Sequence, residues 1–158
     1  MGQPNRQPRK SCEYGTPDWI FDPLNQEFQF TVDPASSELL YKCERHWTKK
    51  EDGLAQKWRG ERLFINPPFD AKDLKLWVPR AYEESRISEE TVSVMLVPVK
   101  SDQSWWHEYA LKAERRFIKG RVRFEGTQFG SPIPVCVLVF ENGRKPIGAS
   151  FTKHFGWS

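Results

Sequence analysis

The 158 residues are 38% hydrophobic and 14% aromatic, with seven Trp, and their 24 Lys and Arg against 21 Asp and Glu give a net charge of +3. This content fits one folded domain with a real core and a mild basic excess that permits a polyanionic partner. It contains no secretory apolar region and no membrane span, so a soluble cytoplasmic protein is expected, and three unpaired cysteines (Cys12, Cys43, Cys136) with three scattered histidines (His46, His107, His154) argue against a disulfide framework and against a metal.

Residues 1–12 are rich in Gln, Pro, Arg and Lys and read as a disordered basic arm. Thr16-Pro17-Asp18 is a helix start, with Thr as N-cap, Pro at the first helical position and Trp19, Ile20 and Leu24 as the apolar face. Pro23 is expected to interrupt that helix, which restarts and runs to about Phe28. Residues 28–33 alternate apolar and polar side chains as a strand does, ending on Asp33-Pro34-Ala35-Ser36. An acidic residue at a strand terminus is a candidate ligand contact.

A short helix is expected near residues 38–41, and Asp52-Gly53-Leu54 reads as a turn. Residues 63–65 form a short buried strand whose ladder must stop at the double proline of Asn66-Pro67-Pro68-Phe69. Leu74, Trp77, Val78, Ala81 and Tyr82 then follow helical spacing, with a kink at Pro79. Further strands are expected at 91–97, 115–118, 121–124 and 135–140, a helix at 104–111, and a Gly- and Pro-containing loop at 126–134. The pattern is α/β: a mainly parallel sheet with antiparallel strands near the C-terminus, a domain over 13–142 and a tail over 143–158.

Asn66-Pro67-Pro68-Phe69 carries the chemistry. The prolines have no N–H, so the segment offers rigid carbonyl acceptors without competing main-chain donors, and Asn66 adds a side-chain oxygen. An exocyclic amine on an aromatic ring is a poor nucleophile, because its lone pair is delocalised. Two acceptors, Asn66 and the Pro67 carbonyl, could hold its hydrogens and localise that pair while Phe69 stacks on the ring, which points to methyl transfer to an amine. A rigid turn after a strand has the same composition.

Thr16-Pro17-Asp18-Trp19, Asp33-Pro34-Ala35, Asp52-Gly53-Leu54 with Trp58, Asn66-Pro67-Pro68-Phe69, Ser101-Asp102 with Trp105, and the run from Arg116 to Arg121 occur in that order. Together they resemble the small phage-type DNA N6-adenine methyltransferases of the Dam family, over about residues 14–140. The resemblance implies a Rossmann-like sheet, S-adenosylmethionine as cofactor, DNA as substrate, and a phage or prophage origin linked to restriction. By the same resemblance Asn66, Pro67, Pro68 and Phe69 are catalytic, and Thr16, Pro17, Asp33, Pro34, Ala35 and Asp52 lie along the cofactor. Open α/β sheets do bind ligands beyond the carboxyl ends of their strands, where Asp33 and Asn66 are expected. The sequence departs from many methyltransferases in having no glycine-rich loop at Asp33-Pro34-Ala35-Ser36.

Lys119, Arg121 and Arg123 alternate with Ile118, Val122 and Phe124, a basic stripe on a predicted hairpin that Lys100 and Arg116 extend toward phosphates. The solvated face of an edge hairpin gives the same pattern. Trp105 and Trp106 either flank the pocket or wedge into a duplex, or at least one of them packs in the core. No separate recognition domain is evident, so sequence choice falls to short loops, the tails or the second subunit of a homodimer, or is hardly made at all. The competing expectations are another planar amine (cytosine N4, RNA adenine or protein glutamine) and a non-catalytic nucleic-acid-binding module.

Overall fold

The computed structural model describes residues 14–153 and 156–157, so the basic arm at 1–12 lies outside the described residues. Strands β1 (Arg62–Ile65), β2 (Val92–Pro98), β3 (Glu114–Ile118), β4 (Val135–Phe140), β5 (Gly148–Thr152) and β6 (Gly156–Trp157) form one sheet in the order β1-β2-β4-β3-β5-β6. The pairs β1–β2 and β3–β5 are parallel, while β4 runs antiparallel to both of its neighbours and β6 antiparallel to β5. The α/β reading holds. Parallel and antiparallel pairings share the sheet.

Alternation along the strands divides the core in two. Leu63, Ile65, Met95, Val97, Cys136, Leu138 and Phe140 face one side, where helices α2 (Ala71–Ile87) and α3 (Ser104–Glu108) cover them. Phe64, Val94, Leu96, Val135, Val137 and Val139 face the other, covered by helix α1 (Asp18–Phe28) and by Val122, Phe124 and Phe151. Period-two side chains that are apolar on both faces are what a strand buried between two layers requires. Trp105 and Trp106 are both buried on the α2 side, so they are core residues and not a wedge.

Several expectations are corrected. Pro23 lies inside α1, which runs unbroken, because its fixed φ is helical and one missing N–H costs a single ladder bond. Residues 28–33 form no named strand: α1 takes Phe28, Gln29 ends it with φ of 51°, and Asn25 Oδ1 accepts the Phe30 N–H. What remains is two isolated parallel bridges, Val32 with Leu63 and Asp33 with His46. Residues 38–41 are not helical, and the 104–111 segment divides into α3 and a 3₁₀ turn at Ala110–Lys112. Residues 121–124 make no ladder, since the buried alternation of Val122 and Phe124 comes from packing against the core. The stretch read as a tail contributes β5, whose Phe151 is 1% exposed and stacks on Trp19.

Candidate active site

β1 delivers Asn66 to the end of the sheet, and the local sequence then turns the chain sharply into α2. The prolines stop the ladder, and Asp70 caps the helix by accepting the Asp73 N–H at 2.8 Å. The motif residues between them face different cavities. Asn66, Pro67 and Phe69 line a cavity of about 780 Å³, whose other walls are Tyr14, Asp70, Phe124 and the 126–133 loop. Pro68 instead faces a cleft of about 160 Å³ shared with Pro34, Ala35, Asp52 and Trp77. A third hollow of about 70 Å³ is bordered by Thr16, Asp33, Ala35, Phe64 and Asn66.

Ala35 borders both smaller clefts, and Asn66 and Tyr14 border both the 70 Å³ hollow and the large cavity. Asn66 therefore stands at the boundary between a polar groove and an aromatic-lined cavity. Its Nδ2 donates to the Tyr14 carbonyl at 3.1 Å. A carbonyl can only accept, so this contact fixes which end of the amide is the nitrogen and leaves Oδ1 as its remaining acceptor. Tyr14 is held in turn by the Gly15–Glu125 bridge, with N–H···O bonds of 3.1 and 2.7 Å in the two directions. Phe69 packs edge-on against Phe124, with ring centres 5.7 Å apart, which sets its plane as one wall of the cavity.

On the groove side, Thr16 does not act as the helix cap expected of it; Pro17 takes that position. The Thr16 hydroxyl is buried without a hydrogen-bond partner among the described residues, on the border of the 70 Å³ hollow. Pro17 sits one residue beyond the groove, its carbonyl accepting from Ile20 and Phe21. Asp33 accepts the N–H groups of Ala35 (3.2 Å) and Lys42 (3.0 Å), so it pins the 33–42 loop. Burial pushes its carboxyl up to about 6, against the lowering effect of those two bonds.

Asp52 has φ of 55° and accepts the Leu54 N–H, opening a 3₁₀ turn at Gly53–Ala55. A Cβ on Gly53 would lie 2.0 Å from the Pro34 carbonyl oxygen, so only glycine fits where this loop meets the 33–36 segment. Lys42 fastens this region to the cavity wall, its Nζ lying 3.0 Å from Asp18 and 3.2 Å from Glu125.

The basic residues separate. Lys119, Arg121 and Arg123 are exposed, and the last two flank the large cavity: Arg123 Nε donates to the Thr127 carbonyl at 3.3 Å, and Arg121 abuts Gly130. Lys100 follows β2, where the Val99 N–H donates to the Pro134 carbonyl at the far end of the same loop. Arg116 is a correction. It is 5% exposed and paired with Glu114 (2.7 Å) and Glu27 (2.6 Å), a core ion pair out of reach of a phosphate. Sequence reasoning missed the Tyr14 carbonyl, Gly53 and the 126–133 loop, because main-chain groups and long-range approaches carry no local signature.

Among the described residues, no group of three or more His, Cys, Asp or Glu is placed to hold a metal ion, and no helix is long and apolar enough to cross a membrane. A family model described as DNA N-6-adenine-methyltransferase (Dam) matches residues 5–143. A search of curated proteins gives no match. Among solved structures, the chain is similar to the methyltransferase subunit of a type I restriction-modification system from Streptococcus thermophilus, at 11% identity and a TM-score of 0.35. That similarity covers 70% of this chain and 31% of the subunit, so the chain spans under a third of the subunit's length.

Proposed function

The chain belongs to the DNA N-6-adenine-methyltransferase (Dam) family, and from that premise we propose that it methylates the N6 amine of adenine in DNA with S-adenosylmethionine as donor. The observation that carries the division of roles is Asn66 standing between groove and cavity, with its amide nitrogen held by Tyr14 and its oxygen left as an acceptor.

The target adenine occupies the 780 Å³ cavity, flipped out of the duplex and stacked on Phe69. Asn66 Oδ1 and the Pro67 carbonyl accept its two amine hydrogens and localise the nitrogen lone pair. Pro68, facing the other cleft, shapes the donor side. The groove residues fit the donor: the unpartnered Thr16 hydroxyl, the Asp33 loop with Pro34 and Ala35, and the Asp52 turn offer hydrogen-bonding groups along an elongated polar molecule. S-adenosylmethionine, when bound, supplies a methyl group on a cationic sulfur as the electrophile. Lys119, Arg121 and Arg123 meet the phosphates, which makes binding salt-dependent without fixing the sequence.

Asn66→Ala is expected to lower the methylation rate by about a hundredfold or more while leaving the affinity for S-adenosylmethionine in calorimetric titration within a few-fold. Methylation at the wild-type rate in that variant would remove Asn66 from the mechanism. Expression in a methylation-deficient host, followed by nucleoside mass analysis of its DNA, tests the acceptor itself: N6-methyladenine supports the reading, and its absence overturns it.

A further inference from the structure

Phe129 is 80% exposed at the rim of the large cavity, which also includes Asn66 and Phe69 in its lining. We propose that the 126–133 loop selects the DNA context of the target adenine, with Phe129 entering the base stack beside it and Gln128 reading a neighbouring base edge. The inference rests on the methyltransferase reading above and extends it from the chemistry to the choice of substrate.

A bare aromatic ring on a slack loop would mean little, but this one is presented from a fixed base. The Ser131 N–H donates to the Val122 carbonyl at 2.7 Å, and the Thr127 hydroxyl lies 2.7 Å from the Phe124 carbonyl and 3.1 Å from that of Phe129. The bridge between Gly15 and Glu125 anchors the loop's first residues to the segment that aims Asn66. The backbone that carries the ring thus has a defined position relative to the Asn66 amide, as a side chain that replaces an extruded base requires.

Charge names the occupant. Arg121 and Arg123 run along the outer side of the same loop, both exposed, so the apolar tip is edged with cations. Apolar tip, basic flank and a cavity for one base match a duplex opened at a single nucleotide. Gln128, also exposed, carries the planar amide that pairs with an adenine edge in the major groove. Every named strand among the described residues belongs to the single sheet, so context reading there falls to loops, and this loop lines the base cavity from Gly126 to Ile133.

The test compares two oligonucleotide duplexes that carry the motif found in host DNA, one with the target adenine paired and one with it opposite an abasic site, where no base must be opened. For Phe129→Ala, kcat/KM on the paired duplex is expected to fall about tenfold or more, and on the abasic duplex less than about threefold. Phe129→Trp restores the paired rate, and Gln128→Ala relaxes the motif at one flanking position in modification-sensitive sequencing. Equal losses on both duplexes, no loss on either, or a change in self-association in place of DNA handling would overturn the proposal. Wild-type protein that methylates neither duplex would strike the methyltransferase reading instead.

Discussion

Two charged residues that look alike as surface groups in the sequence are buried for opposite reasons. Arg116 neutralises Glu114, whose carboxyl burial would raise but which hydrogen bonds from Arg116 and Arg144 hold below its ordinary value. Arg116→Ala removes one of the two guanidinium partners of that carboxylate, leaving Arg144, and is expected to cost about 2 kcal/mol in urea unfolding, with little change in the salt dependence of DNA binding. Asp33 has its amide donors but lies deep enough that its carboxyl rises from 3.8 to about 6. Its contribution to stability is therefore fully present below pH 3.8 and is lost as pH rises through about 6, because the folded form holds a proton that the unfolded form has released. Melting temperatures of wild type and Asp33→Asn measured from pH 4 to 8 should show the difference moving in the variant's favour as pH rises. A constant difference would mean that Asp33 titrates normally.

At the scale of elements, 63–65, 91–97, 115–118 and 135–140 each match an observed strand to within a residue; the first, second and fourth are apolar runs buried on both faces, while the third alternates buried and partly exposed positions. The misreadings share a cause. Alternation at 28–33 and 121–124 reflects packing against the sheet, which has the same period as a ladder, and only hydrogen-bond partners distinguish the two. The site was legible as Asn66-Pro67-Pro68-Phe69 but not as a boundary between cavities, because Tyr14 acts through its backbone from 52 residues away. Asp52-Gly53-Leu54 looked like a turn pair, yet Gly53 is where two loops touch. Gly53→Ala places a methyl 2.0 Å from the Pro34 oxygen, so we expect a loss of about 2 kcal/mol in stability together with weaker S-adenosylmethionine binding in the same calorimetric titration.

At the scale of the whole molecule, β5 makes the last residues structural. Phe151 is buried against Trp19 of α1, and β5 lies in parallel register along β3. Phe151→Ala should destabilise the fold by about 3–5 kcal/mol, and a chain ending at residue 142 should melt far below the full chain; equal melting of the two would make 143–158 dispensable. The sheet order has a further consequence, for how the chain is made. β4 is the fourth strand synthesised, yet it sits between β2 and β3 and completes both. On the ribosome, α1, β1, α2 and β2 emerge first and leave the apolar edge of β2 without a neighbour until residues 135–140 arrive. The nascent chain must shield that edge for some forty residues of synthesis, and it is there, while residues 99–134 are being made, that a chaperone or a premature stop would decide its fate.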